Sequence, residues 1–333
     1  MSVLVTGATG FIGSTLARKL VQRGEKVALL VRKPSKLHAI EDILDSVELR
    51  YGDVTDLESL KSATRGIDYI YHCAGKAYIG PRRTQELYAI NVQGTKNVIA
   101  AAEQNHVKRL VYTSSISAIG ITGTKQPADE TQPWNLDKLN VPYYISKHLA
   151  EEEVRKAAQN RLDCVIVNPS YVFGAGDINF NAGQLIRDLY YHKIPVYPTG
   201  GICVADVDDV AEGHIAAMER GKTGERYILG GENLTYKHVF DIICRVVGAP
   251  KVLIPLSESI VKIFLALTAQ ARRLHRITAL ANREILLSAT KFFYFSSEKA
   301  KRELGFDNRH SVGDAFVETI ARAFSWYRSR QLI

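Results

Sequence analysis

The chain has 333 residues, 46% of them hydrophobic and 23% charged, with a formal net charge of +8. That length holds one large α/β domain, alone or with a smaller lobe, and the ordinary composition excludes disordered and fibrous classes. Four separated cysteines, Cys73, Cys164, Cys203 and Cys244, contain no CxxC pair, which excludes a disulfide framework or zinc knuckle and fits a reducing cytosol.

The first apolar run, 3–5, leads into Thr6-Gly7-Ala8-Thr9-Gly10-Phe11-Ile12-Gly13 and then a helical stretch at 14–23. Because this strand begins at once, no signal peptide is expected ahead of it and a cytoplasmic location is expected. Strand, glycine turn and helix in this order suit a dinucleotide pyrophosphate. Glycines let backbone N–H groups approach the phosphates, and the helix N-terminus points its positive dipole end at them. Gly7, Thr9, Gly10, Phe11 and Ile12 are therefore expected at a cofactor.

The second strand, 27–31, ends in Arg32-Lys33. An acidic residue here would bind the 2′-hydroxyl of the adenosine ribose, whereas arginine can hold a 2′-phosphate through two N–H bonds. NADP(H) is thus favoured over NAD(H). After the third strand, 47–51, Asp53 can accept from an adenine amino group or serve as a turn or cap residue. Further strands are expected at 69–73, 110–113 and 164–168. Helices are expected between them at 57–64, 86–105 and 143–159. Near-continuous apolar strands alternating with helices predict a parallel sheet covered on both faces.

Tyr143 and Lys147 stand four apart on a helix that Pro142 can start. A phenol with a free pKa of ~10 is a poor acid or base at neutral pH, and a neighbouring ammonium lowers that pKa. Tyr143 can then exchange a proton with a carbonyl or alcohol oxygen. Ser115, in Thr113-Ser114-Ser115, follows the preceding strand and can hydrogen-bond the same oxygen. Tyr144 competes with Tyr143, but only Tyr143 has a lysine four residues on.

Beyond 176 the alternation weakens. Helices are expected at 182–192, 207–220, 236–247, 257–269 and 312–328, with a short strand at 226–229. The division expected is a dinucleotide-binding domain at 1–173, which also takes in roughly 203–220, and an interleaved substrate lobe at 174–333. The most apolar stretch, 253–269, is interrupted by Pro255, Ser257, Glu258 and Lys262, and no run reaches membrane-spanning length. Arg272, Arg273 and Arg276 follow it and leave interfacial association open. Basic residues are otherwise dispersed and no nucleic-acid module is present.

These motifs resemble an extended short-chain dehydrogenase/reductase of the NAD-dependent epimerase/dehydratase superfamily. The resemblance is carried by the 6–13 glycine loop, Gly52-Asp53-Val54, His72-Cys73-Ala74-Gly75, Asn91-Val92-Gln93-Gly94-Thr95, Thr113-Ser114-Ser115, Tyr143 with Lys147, and Asn168-Pro169-Ser170-Tyr171-Val172. It implies a Rossmann-type doubly wound sheet with a smaller mixed α/β C-terminal lobe, and a homodimer. It implies a catalytic serine at Ser115, acid/base chemistry at Tyr143, a lysine at Lys147 and a supporting asparagine at Asn91. Val54, Cys73, Ala74, Gly75, Tyr143, Lys147, Pro169 and Val172 are implied at the cofactor, and Lys76, Tyr78, Ser117 and Tyr171 at the substrate. No metal is implied.

Asn168 before the proline, where many nucleotide-sugar enzymes carry arginine, is similar to dihydroflavonol reductase-like and hopanoid-associated sugar epimerase-like members. The absence of an Asp-Glu pair after Ser115 argues against sugar dehydration. The leading expectation is an NADP(H)-dependent carbonyl reductase or alcohol dehydrogenase acting on a small molecule. A nucleotide-sugar epimerase that retains its cofactor is the alternative. A non-catalytic nucleotide sensor is a third reading, disfavoured because Ser115, Tyr143 and Lys147 occur together.

Overall fold

A computed structural model describes residues 1–333 apart from 34–36, 78–83, 161 and 264–282. Seven strands form one parallel sheet: β1 (Ser2–Thr6), β2 (Lys26–Val31), β3 (Glu48–Tyr51), β4 (Tyr69–His72), β5 (Arg109–Thr113), β6 (Cys164–Pro169) and β10 (Arg226–Leu229), in the spatial order β10-β6-β5-β4-β1-β2-β3. Strand order runs outward from β1 in both directions. The carboxyl ends of β1 and β4 therefore flank the crevice in which doubly wound sheets take ligands.

The buried runs decide the layers. Along β1, β2, β5 and β6, successive side chains alternate between two apolar clusters, one on each sheet face. Helix α1 (Phe11–Gln22) and helix α7 (Val207–Arg220) cover one face; α2 (Leu57–Ala63), α4 (Gly94–Gln104) and α5 (Pro142–Gln159) cover the other. On α1, Leu16, Ala17 and Leu20 point inward, and a fully buried leucine such as Leu16 contributes about 2 kcal/mol.

The expected elements recur within a few residues of their predicted ends, apart from the helix expected over 257–269, which from 264 on lies outside the described residues, as do Arg272, Arg273 and Arg276. Three differences are informative. Helix α1 starts at Phe11 rather than Ser14, with Gly10 as its extended N-cap. The single helix expected over 86–105 is α3 (Thr84–Tyr88), a π-helical turn at Ala89–Gln93, and then α4. Such wide turns concentrate at functional sites. The strand at 226–229, grouped from sequence with the smaller lobe, is the β10 edge of the main sheet, paired with β6 from Arg226↔Ile166 to Leu229↔Pro169.

The remaining chain builds a four-stranded sheet and, from Val196–Pro198 with Ile254–Leu256, a separate two-stranded one. β7 (Tyr171–Phe173), β8 (Val196–Pro198) and β9 (Gly201–Asp206) follow β6. β9 pairs with β7, with the antiparallel strand Asn233–Thr235 and with Phe292–Phe293. Around β9, helices α6 (Gly183–Tyr190), α8 (Tyr236–Val247) and the C-terminal helix Asp314–Ser329 enclose their own apolar core. Asp206 ties this part to the C-terminal helix, accepting from the Thr319 hydroxyl at 2.6 Å and from Arg322 at 2.8 Å. Among the described residues no helix is long and apolar enough to cross a membrane.

Candidate active site

The glycine turn leaves β1 at Gly7, whose φ of +70° lies in the left-handed region. A Cβ there would stand 2.6 Å from the Ala74 nitrogen, and one on Gly13 would stand 2.3 Å from the Gly7 carbonyl oxygen. Only glycine lets helix, turn and the end of β4 approach this closely. The Ala74 N–H donates to the Thr6 hydroxyl oxygen at 3.2 Å, which fixes the Cys73–Gly75 segment beside the turn. No side chain caps α1 and no acidic residue lies in its first turn, so its dipole end is left for an anion. Ile12, Cys73 and Val172 pack against the same apolar cluster. Phe11 is buried.

At the far end of the turn, a cavity of about 1050 Å³ is lined by Thr9, Arg32, Lys33, Tyr51, Gly52 and Asp53, among others. Arg32 stands 3.8 Å from Asp53, and Lys33 lies over the Tyr51 ring at 4.6 Å. Asp53 accepts from the backbone and hydroxyl of Thr55, while Asp56 is the residue that caps α2. Turn formation thus occupies one Asp53 oxygen, and the other faces Arg32. The adjoining Val54 turns its side chain against Gly94, and its carbonyl accepts from the Asn97 amide. The free α1 terminus, the cradle at Gly7 and this basic cavity together fit a dinucleotide.

At the near end, the Ser115 hydroxyl lies beside the Tyr143 phenol. Burial pushes the Tyr143 phenol up from its ordinary value, and the neighbouring Ser115 hydroxyl offsets part of that rise. The Ser115 hydroxyl also donates to the Ser117 hydroxyl at 3.1 Å and accepts from the Ser117 N–H at 3.1 Å. Tyr144 instead packs among Ile116 and Phe293 and lies near Ser288, which leaves Tyr143 as the phenol beside Ser115.

Lys147 is 5% exposed and donates to the Tyr112 hydroxyl at 3.1 Å and the Thr113 carbonyl at 2.7 Å. Burial pushes its pKa down to about 8, opposed by the negative charge of Glu151. Asn91, on the π turn, accepts from the Lys76 N–H at 2.7 Å and donates to the Lys76 carbonyl at 3.1 Å and the Ser146 hydroxyl at 3.0 Å. Ser146 in turn donates to the Tyr143 carbonyl at 2.8 Å. Asn91 thereby joins the chain after Gly75 to the first turn of α5.

The tentative substrate residues divide. Ser117 sits beside Ser115. Tyr171 is exposed, with its ring 5.3 Å from Phe173. Lys76 spends its ammonium on an ion pair with Glu86, and Tyr78 lies outside the described residues. Pro169 ends β6, directly after Asn168, whose amide donates to the Ser115 carbonyl at 3.0 Å.

Sequence reasoning missed several groups. His38, Asn179 and Leu332 line the large cavity from remote parts of the chain, and no local pattern marks them. Tyr112, directly before the Thr113-Ser114-Ser115 motif, was legible in position but not in its partnership with Lys147. Asp206, Asp209 and His310 come within 4.8 Å of one another. Their hydrogen bonds are made within the protein: Asp209 accepts from the ring of His310 at 2.6 Å and from the Ser311 hydroxyl at 2.6 Å.

A family model described as NAD dependent epimerase/dehydratase family matches residues 3–230. A Synechocystis sp. protein provisionally named dihydroflavonol 4-reductase is 34% identical over 98% of this chain and 94% of its own length. Sterol demethylase protein B of Methylococcus capsulatus is 30% identical, with full coverage of both chains. The crystal structure of a nucleoside-diphosphate-sugar epimerase from Pseudomonas aeruginosa superposes with a TM-score of 0.81 at 26% identity, covering 98% of this chain and 97% of that one.

Proposed function

The chain belongs to the NAD-dependent epimerase/dehydratase family, and from that membership we propose that it is an NADP(H)-dependent carbonyl reductase or alcohol dehydrogenase. It is an enzyme of the extended short-chain dehydrogenase/reductase type. The observation that carries the proposal is the buried Lys147, on the same helix as Tyr143, donating to the Thr113 carbonyl two residues before Ser115.

When bound, the nicotinamide cofactor supplies or accepts the hydride. The α1 N-terminus and the Gly7–Gly10 backbone would hold its pyrophosphate, and Arg32 with Lys33 would hold a 2′-phosphate. Ser115 hydrogen-bonds the substrate oxygen. Tyr143 gives that oxygen a proton during reduction or removes one during oxidation. Lys147 presents a positive charge that favours the phenolate. Asn91 keeps the Gly75–Lys76 segment and the first turn of α5 in register. We assign substrate binding to the 174–333 lobe, less the returning α7 and β10.

The test is cofactor titration followed by a screen of aldehydes, ketones, alcohols and nucleotide sugars, read by NADPH absorbance. Stoichiometric NADPH consumption supports the reductase reading. The likeness to the Pseudomonas epimerase favours a second reading, a nucleotide-sugar epimerase that keeps its cofactor. Turnover of a nucleotide sugar without net NADPH change selects that one.

A further inference from the structure

Glu151 lies one helical turn past Lys147 on α5, is 1% exposed, and has no place in the scheme above. One of its oxygens accepts from the Ser114 hydroxyl at 2.5 Å and from the Asn168 amide at 2.7 Å. The other faces Arg226 at 3.0 Å. This carboxylate therefore touches the ends of β5 and β6 and the first residue of β10. Three adjacent strands of the sheet are joined through one side chain.

The same Asn168 amide nitrogen donates to the Ser115 carbonyl. Two acceptors, a carboxylate and a carbonyl, face one nitrogen, so the amide orientation is determined by its partners. Ser114 and Ser115 are consecutive, one bonded to Glu151 directly and the other through Asn168. Arg226 is held in turn by the Glu130 carbonyl at 2.6 and 3.0 Å. A buried carboxylate with this many donors is unusually well defined, and removing either ion alone leaves the other uncompensated.

We propose that Glu151 is a positioning residue for the Ser115–Tyr143–Lys147 group, holding the Ser114–Ser115 strand end in place and setting the charge felt by the Lys147 ammonium, with Arg226 as its counter-ion. The inference rests on the reading of those three residues as the reactive group.

The charged and titratable groups around Lys147 come from each packed element: His72 and Cys73 at the end of β4, Tyr112 on β5, and Tyr143 and Glu151 on α5. His72 is held neutral by burial, with its pKa pushed down to about 3. Burial likewise pushes the Cys73 thiol up to about 11 and the Tyr112 phenol up. Glu151 is the carboxylate in this shell among the described residues, and it is paired with Arg226. Its field favours the ammonium, and Arg226 offsets part of that field.

The test uses full-length protein with 13C/15N-labelled lysine. Lys147→Arg identifies the Lys147 resonance, and its titration is followed by NMR in cofactor-free protein. Glu151→Gln is expected to move the Lys147 titration to lower pH. Glu151→Gln with Arg226→Gln, which leaves no buried ion unpaired, is expected to shift it in the same direction by less. Circular dichroism establishes that each variant is folded, and the double variant serves if Glu151→Gln alone is not. The alkaline limb of kcat/KM should follow the NMR shift. An unchanged Lys147 titration in both folded variants overturns the inference. The underlying reading fails separately, if Tyr143→Phe retains full activity; that result leaves the NMR titration interpretable on its own.

Discussion

Lys147 donates to the hydroxyl of Tyr112 at 3.1 Å, and the ammonium lies 4.8 Å from the centre of the Tyr112 ring. The phenol oxygen and the ring face both stabilise a cation that burial otherwise disfavours. Tyr112 is itself fully buried, so the contact cannot be replaced by water without opening the sheet.

This relationship sets the first expectation. With its pKa near 8, Lys147 loses its charge as pH rises through that value. The proposed mechanism uses the charged form, so kcat/KM should fall above about pH 8. Tyr112→Phe removes the hydroxyl acceptor and should move the alkaline limb to lower pH. A pH–rate profile of both proteins checks this, and an identical limb in the variant counts against it.

Tyr143→Phe retains the ring and removes the proton carrier. Activity should drop by about 10²–10⁴-fold. Cofactor affinity, measured by fluorescence titration, should stay within about threefold, because the glycine turn and the basic cavity are untouched. Tyr144→Phe should retain activity, since its ring packs with Phe293 rather than with Ser115.

Arg32→Ala should weaken NADPH binding by about 10–100-fold, the range of a charge-assisted hydrogen bond, while NADH binding changes little. Calorimetric titration with both nucleotides measures the contrast. Equal losses for the two would show that Arg32 does not read the 2′-phosphate.

Gly7→Ala places a Cβ 2.6 Å from the Ala74 nitrogen at a residue whose φ is +70°. Left-handed strain alone costs about 1–2 kcal/mol, and the clash with backbone adds to it. A lowered thermal midpoint together with loss of dinucleotide binding is expected. Gly24→Ala is the control: its φ of +74° carries the same strain, but an added Cβ meets nothing within 4 Å. It should lower the midpoint less and leave binding intact.

Acid stability should depend on His72. It is fully buried between the Thr6 and Thr95 hydroxyls, and its pKa is pushed down from 6.5 to about 3. The unfolded chain therefore takes up more protons than the folded one between those values. The contribution is fully present above pH 6.5 and is lost as pH falls toward 3. His72→Gln, which has no charged form, should flatten the dependence of unfolding free energy on pH in this window. Denaturant melts at pH 7, 5 and 4 measure it.

Local pattern carried much of the candidate site. The 6–13 loop, Arg32 after β2, Ser115 after β5 and the Tyr143–Lys147 spacing are each set by a few consecutive residues on one element. The helix-then-π-turn at Asn91 was not legible, because an extra residue in a helical turn leaves no mark in an apolar periodicity. The side-chain partners of Val54 and Lys76, Gly94 and Glu86, were likewise not legible, because they lie on later helices.

Alternation of strand and helix and the glycine turn by themselves determined a parallel, doubly covered sheet with a dinucleotide crevice, since backbone geometry and burial period act over a few residues. Tertiary structure alone decided which strand closes the sheet, that Arg226 of β10 meets Glu151 of α5, and that Lys147 rests on Tyr112. Those contacts join residues 35 to 75 positions apart, and they depend on strand order and register rather than on any spacing in the chain.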